Sequence, residues 1–504
     1  MKKIAGVLAF FAFVSFSIAG TYNGGTGEPD APYKISSISN WQELMITDSD
    51  WNKHFILTDD VNLYGAAIVP VGNSTTKFTG TINGNSHIIS NAVINTPTGD
   101  NVGLFGYAIG SSIININITS FSMTGRYSVG GLVGFHEGGT IENCNTAGQV
   151  YGEYPAGCVV GYNYGGLITN CSATGTANGP SISTLGGLVG ENSSTGIIRD
   201  SSASVSVTSI GGQGGTGGLI GRNYGNVINC SAYGQVSGST TVYKVGGLIG
   251  ENYDSSAIVV RCHATGAVSG KSYVGGLIGI NSGFISMCFA DGMVTGYSSS
   301  TYIGGLVGDH YGNNNIFDSY ATGAVSVGTT SNNVGGLIGV VVSGTIDNCY
   351  STGLVTAGSG SYNIYGMIGY NGGTVTDSFW DKNTSNQQTS SGGTGKTTAE
   401  MKTCATFTAA GWDFCNETTN GTNDLWRMCG DGVNYPRLNF ESLVGDFACP
   451  DGVGIEDLGA FCSKWLMMDC DASNNYCGGI DINKNNIVNF ADFAVFAENW
   501  LAGL

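Results

Sequence analysis

The hexapeptide VGGLVG at 129–134 returns along the chain as LGGLVG, TGGLIG, VGGLIG (three times) and IGGLVG. Drifted forms are AGCVVG and YGMIG, and an early VGLFG stands at 102–106. The central residue of each copy gives the series Leu104, Leu132, Val159, Leu188, Leu219, Leu248, Leu277, Leu306, Leu337 and Met367, spaced by 28, 27, 29, 31, 29, 29, 29, 31 and 30 residues. Ten copies at that regularity demand one small structural unit per copy, each burying its apolar side against the next. A propeller blade needs about 40 residues or more, so the unit is too short for one. Short β-favouring runs alternate with glycine and asparagine, with no helical stripe. The pattern therefore predicts a mainly β fold, a parallel β-solenoid of about ten coils. At about 4.8 Å per rung it makes a rod roughly 50 Å long.

Composition agrees. With 83 glycines but 8 prolines and no three-residue period, the chain is not collagen, and 41% apolar residues exclude disorder. Residues 1–19 read as an export signal: a basic MKK, the apolar run IAGVLAFFAFVSF, and small Ser17 and Ala19 before a cut. No lipid-anchoring cysteine follows the cut, and no later stretch is long and apolar enough to span a membrane. Cleavage leaves 16 basic against 36 acidic residues, a net charge of −20. That surface disfavours nucleic acid and favours cations such as calcium.

Placed in register, the repeats explain several polar residues. Four positions past the central residue stand Asn163, Asn192, Asn223, Asn252, Asn281 and Asn371, expected as left-handed corners with stacked amides. One position earlier, Glu191, Arg222 and Glu251 should stack as neighbouring opposite charges. A third column holds Cys144, Cys171, Cys230, Cys262, Cys288 and Cys349, replaced elsewhere by Ser201, Ser319 and Ser378. Free exchange with serine points to small buried side chains rather than a chain of disulfides.

Candidates for chemistry are few. Acids in the repeats are scattered about one per coil, whereas glycoside cleavage wants a facing pair. Asp309-His310-Tyr311 is the densest cluster, read as an ordinary polar corner. SSGGTGKTTAEM at 390–401 mimics a phosphate loop, but Ser390 replaces the first glycine and no strand context supports it. The plainer reading is a helix cap, Thr397 with Glu400. Tyr164, Tyr224, Tyr253 and Tyr311 share one slot and could stack on sugars or on a partner.

The repeat pattern resembles the GLUG motif family over roughly residues 100–380. That resemblance implies an exported surface protein and assigns the motif no catalytic residue. Residues 20–100 read as an N-terminal β cap or first coil, with FTGTINGNSH as a hairpin or coil over the open edge; 101–380 as the solenoid; and 381–440 as a closing cap. In that cap Cys404, Cys415 and Cys429 form an odd set.

The tail, 446–504, contains a duplication: EDLGAFCSKWL at 456–466 aligns with ADFAVFAENWL at 491–501. Leu458, Phe461, Trp465 and Leu466 map onto Phe493, Phe496, Trp500 and Leu501, one stripe of an amphipathic helix in each copy. Before the second helix, Asp481, Asn483, Asn485, the carbonyl of Ile487, and Asp492 occupy positions 1, 3, 5, 7 and 12 of a loop. That spacing suits a structural calcium ion, with Asn486 at the sharp turn. The tail resembles a type I dockerin, which implies a calcium-ordered helical module that docks onto a cohesin-like partner. In the first loop, 446–457, Ala448 and Pro450 stand where ligands belong. The recognition positions are Ile455-Glu456 and Phe490-Ala491, unlike the usual hydroxyl pairs. Cys470 and Cys477 are candidates for a local disulfide, and Cys449 with Cys462 for a second.

Together these features imply a secreted, non-enzymatic scaffold or adhesion protein on the cell surface, tethered by its tail and connected with extracellular polysaccharide. Two alternatives stand beside it: a polysaccharide lyase or glycoside hydrolase on the solenoid, and a carbohydrate-binding adhesin using the tyrosines.

Overall fold

The computed structural model describes residues 20–180, 184–212, 214–415, 419–441, 445–447, 453–470, 475–478 and 480–500. The expected export signal, positions 448–452 (Cys449 included) and Leu501 lie outside the described residues. Each repeat makes one turn of a parallel β-solenoid. In the turn after Leu132, Val133–Glu137 forms one face, Thr140–Glu142 the second, and Asn145–Tyr151 with Tyr154–Gly157 the third. Successive turns pair in parallel and in register, as in Val133 with Val160, Val160 with Val189 and Val189 with Ile220. The result is three sheets of 10, 13 and 27 strands among the described residues.

All ten central residues, Leu104 to Met367, are fully buried. Their backbones stack directly: Leu188 N–H donates to Leu219 O at 2.9 Å and Leu219 N–H to Leu248 O at 2.9 Å. Burying each such side chain contributes about 2 kcal/mol. Before most central residues stands a glycine that the next rung requires, Cys158 before Val159 being an exception. A Cβ on Gly218 would lie 2.1 Å from Gly247 O, and one on Gly247 2.0 Å from Gly276 O, so only glycine permits this backbone spacing.

The asparagine column does more than turn corners. Asn163, Asn192, Asn223, Asn252 and Asn281 lie in extended strands, fully buried. From Asn163 to Asn252 each Nδ2 donates to the Oδ1 of the next rung at 2.7–2.8 Å. The left-handed corners belong to a second series one residue before the cysteine slot: Asn143, Asn170, Asp200, Asn229 and Asn348 all have φ near +50°. The expectation merged these two roles, and the structure separates them. Asn371 stands outside the row, because Val341 interrupts it.

Histidines close both ends of the row. His136 Nδ1–H donates to Asn163 Oδ1 at 2.8 Å. At the far end Asn281 Nδ2 reaches His310 Nδ1 at 2.9 Å, and His310 Nε2 lies 2.8 Å from Asn314 O. Because Asn281 Nδ2 also donates to Gly283 O, His310 accepts at Nδ1 and carries its proton on Nε2. Burial pushes the His136 imidazole down to about 4 and lowers that of His310 as well.

The cysteine column consists of buried free thiols. Serines in the slot accept backbone N–H groups across rungs, as Ser201 Oγ does from Cys171 N at 3.0 Å. At the N-terminal end Thr81–Asn83 pairs in parallel with both His54–Leu57 and Ser112–Ile114, so FTGTINGNSH is a coil rather than a hairpin. The end is covered instead by a helix, Ile38–Ile46, capped by Ser37 and burying Trp41, Leu44 and Met45.

At the other end Thr389, Ser390 and Ser391 bond the last edge at Gly366 and Ile368. This is the work of the phosphate-loop mimic, and the Thr397–Glu400 capping box follows it. The chain then turns back along the flank. Met401, Phe407, Trp412, Trp426 and Leu438 cover Phe289, Tyr320, Tyr350 and Phe379, a ladder with stacked rings 4.8–5.1 Å apart from Phe289 to Tyr350. Trp426 Nε1 donates to Asp318 Oδ1 across 108 residues of chain.

Two outcomes test this architecture. Asn223→Ala orphans one amide donor and one acceptor in the buried row, at about 1–3 kcal/mol each, so chemical denaturation should show a loss of several kcal/mol. His136 and His310 stay neutral when folded but titrate near 6.5 when unfolded. The unfolded state then binds more protons below pH 6.5, and stability falls as pH drops from about 7 toward about 4. The denaturation midpoint should fall less steeply over that window in the His136→Ala/His310→Ala variant.

Candidate functional surface and tail loop

Along the 10-stranded sheet the side chains alternate inward and outward, and only the outward slot is free to vary. Three positions past the central residue it presents Tyr107, Phe135, Tyr162, Glu191, Arg222, Glu251, Ile280, Asp309, Val340 and Tyr370 in register. The slot changes chemistry in blocks.

The first block is aromatic. Ring centroids of Tyr107 and Phe135 lie 4.6 Å apart, Phe135 and Tyr162 5.0 Å, and Tyr162 and Tyr164 6.1 Å. Lys77 Nζ sits 5.5 Å over the Tyr107 ring. Burial and the hydrogen bond to Glu137 push the Tyr107 phenol up to about 12.

The second block is ionic. Tyr154 donates its hydroxyl to Glu191 at 2.8 Å and accepts from Arg222 Nη1 at 2.6 Å. Arg222 Nε meets Glu251 at 2.9 Å, and Lys244 Nζ meets the other Glu251 oxygen at 2.8 Å. The charges balance, two against two. The stacking of Glu191, Arg222 and Glu251 is as the register implied, and it is shielded from solvent: the Glu251 side chain is only 3% exposed. Burial raises the Glu191 carboxyl.

The third block holds one acid. Asp309 lies between Ile280 and Val340, and its Oδ1 is buried without a hydrogen-bond partner among the described residues. Burial pushes its carboxyl up to about 6. His310 points inward to the amide row, and Tyr311 sits at the corner, so this tripeptide does not converge on one point.

The four slot tyrosines do not form one row. Tyr164 belongs to the aromatic block. Tyr224 and Tyr253 pair at 5.6 Å. Tyr311 reaches back to Tyr253 O at 3.4 Å and lines a cleft of about 450 Å³ with Ser255, Ser282 and Asn314. Tyr107, Phe135, Tyr162, Tyr154 and Lys244 were missed in the sequence. Writing out the whole outward column would have shown the first three.

In the tail, the helices Ile455–Ser463 and Phe490–Glu498 pack through Phe461, 5.4 Å from Phe496 and 5.7 Å from Phe493. Cys470 and Cys477 are bonded to each other, with Cα atoms 4.9 Å apart. Cys462 is instead an exposed free thiol, and Cys429 is disulfide-bonded. Asp481 and Asp492 are buried, 1% and 0% exposed. Asp481 accepts N–H bonds from Asn485 and Asn486, and Asp492 from Asn483 and Asn489, at 2.8–3.1 Å. Asn486 takes the left-handed turn at φ 71°. The Asn483 and Asn485 amide oxygens face into the loop's own backbone, accepting Asn485 N and Ile487 N. Among the described residues no cluster of three or more His, Cys, Asp or Glu assembles. This loop's set differs in kind: two carboxylates, two amide oxygens and the Ile487 carbonyl. In the first loop Asp446 pairs with Arg427 at 3.5 Å, and Asp457 accepts Gly454 N–H at 2.8 Å.

The GLUG motif family matches residues 125–151, 156–178 and 182–208, so the chain carries GLUG repeats. Halomucin of Haloquadratum walsbyi is 34% identical over 139 residues, 25% of this chain and 2% of that protein. A protein of Evansella cellulosilytica described as a Gly-rich membrane protein is 34% identical over 103 residues, 20% of this chain and 12% of its own length. The chain thus spans only a small part of these relatives. A solved Bacteroides ovatus structure, described as an immunoglobulin A1 protease, aligns over 84% of this chain and 96% of its own at 18% identity and TM-score 0.36. A likeness at that level passes no activity across.

Proposed function

We propose that this is a secreted, non-enzymatic surface protein whose solenoid holds out a polysaccharide-binding face and whose tail attaches it to a partner. The observation that carries this reading is the unbroken strip on the 10-stranded sheet. Packed rings from Tyr107 to Tyr164, with Phe135 meeting Tyr162 edge to face, lead into the half-buried Glu191–Arg222–Glu251 array, which Tyr154 joins from the neighbouring 27-stranded sheet. Rings offer apolar faces to sugars, and fixed donors and acceptors beside them read hydroxyl positions. Among the described residues no helix is long and apolar enough to cross a membrane.

The tail loop fits calcium. Its carboxylates are buried and, among the described residues, draw only backbone donors, an arrangement that costs energy until a cation balances the charge. Hard oxygen donors at this spacing suit calcium. Asp481, Asn483, Asn485, Asp492 and the Ile487 carbonyl would hold the ion, which ties the loop to the start of the helix Phe490–Glu498. Ile455 and Phe490, 72% and 76% exposed at the first turns of the two helices, would be the apolar anchors for a cohesin-like or other surface partner.

One observation favours a second reading. On the same face the Asp309 Oδ1 is buried without a hydrogen-bond partner among the described residues, and burial pushes the carboxyl up to about 6, which would suit the general acid or base of a polysaccharide lyase or hydrolase.

A single experiment separates the two. The protein is presented with pectin, alginate and xylan, and both retention and chain cleavage are measured. Retention that falls at least tenfold in Phe135→Ala/Tyr162→Ala, without cleavage, supports the binding face. Cleavage abolished by Asp309→Asn overturns it. For the tail, calcium at a hundredfold excess over its dissociation constant should stabilise the module by about 2.7 kcal/mol. Hydrogen exchange of residues 455–500 in the full chain should slow with calcium, and not in Asp481→Ala.

A further inference from the structure

The first described residues are held by two acids that belong to no repeat column. Gly20 N–H donates to Asp50 Oδ2 at 2.8 Å, and the Tyr22 hydroxyl donates to the same oxygen at 3.2 Å. Glu43 accepts Thr21 N–H at 2.6 Å and Tyr22 N–H at 2.8 Å. The Tyr22 ring packs 4.5 Å from Tyr33 and 5.5 Å from Phe55, inside the first rungs of the 13-stranded sheet. Asp50 is 2% exposed. Lys53, three residues on, is engaged with Glu28 at 2.8 Å. The hydrogen bonds to the Asp50 carboxylate thus come from neutral donors, Lys53 acting on it only at a distance, and a buried carboxylate without a directly bonded countercharge is expensive.

A Cβ at position 20 would fall 2.5 Å from the Tyr22 ring, so a larger residue would displace that ring from its place against Tyr33 and Phe55. Directly before Gly20 stands Ala19, the last of the small residues that end the apolar leader.

We propose that the Ala19–Gly20 peptide bond is a maturation site, and that the α-ammonium freed at Gly20 pairs with Asp50 to lock the first rungs. The proposal rests on the export reading of residues 1–19. An export endopeptidase adds water across the amide: the C–N bond breaks, Ala19 keeps a carboxylate, and Gly20 leaves as an ammonium. An α-amine titrates near about 8, so it is charged at neutral pH. One neutral N–H at Asp50 becomes a charged group with three donors, and charge-assisted bonds are roughly twice as strong as neutral ones. The uncleaved chain has only the neutral amide at that point. Processing therefore supplies the missing countercharge and tightens the end of the rod.

The test uses the full chain after export. Intact mass and N-terminal sequencing should place Gly20 first; any other start overturns the export reading and the lock together. With Gly20 first, the exported chain is compared with a copy acetylated at its N-terminus and with Asp50→Asn. Hydrogen exchange over residues 21–35 should quicken about tenfold on acetylation, and acetylation should add nothing further in Asp50→Asn. Exchange unchanged by acetylation, or changed equally in Asp50→Asn, overturns the lock while leaving the cleavage site standing.

Discussion

A buried polar column running through a stack of turns is stable when each group meets its own copy one rung away. The amide row from Asn163 to Asn281 satisfies that condition with one residue type. Each side chain donates upward and accepts from below, and most spend the second amide hydrogen on a glycine carbonyl of their own turn. Failure at any rung would leave buried groups unpaired at about 1–3 kcal/mol each. The amide bonds of 2.7–2.8 Å fit the spacing that the parallel backbone ladder sets, and at Gly218 and Gly247 that spacing leaves no room for a Cβ.

Because the inward slots are tied up in this way, chemistry is confined to the outward ones. Strand alternation leaves one free position per rung on the 10-stranded face, flanked by one at the corner. Aromatic, ionic and isolated acidic residues come in consecutive blocks there, so a long ligand would meet a changing surface over one straight track. The flank carrying Phe289, Tyr320 and Tyr350 had the same freedom, but Met401, Phe407, Trp412, Trp426 and Leu438 cover it. Among the described residues no such apolar cover lies over the 10-stranded face.

Repetition made much of this legible. The central residues, the cysteine column and the charge neighbours Glu191, Arg222 and Glu251 follow from register alone. Single events were hidden. His136 and His310 occur once each in the asparagine column, and only the direction of the amide bonds reveals them as its ends. Asparagine was assigned to corners because it tolerates left-handed backbone, yet two asparagine columns exist, and burial rather than turn geometry governs the inner one. The cap helix Ile38–Ile46 and the return of Trp426 to Asp318 depend on contacts remote in sequence. The bond from Gly20 to Asp50 spans 30 residues outside the repeats, where no periodicity could point to it.

The row has a direction, and its two ends differ. His136 contributes a hydrogen and His310 a lone pair, so they punctuate the stack like a capital letter and a full stop. A whole turn copied or deleted between them leaves both ends satisfied. Beyond them the column holds Ala108 and Val341, and Asn371, the amide beside Val341, accepts Gly373 N–H of its own turn instead of bonding a neighbouring rung. Copy number is therefore freest inside the bracket that the two histidines set.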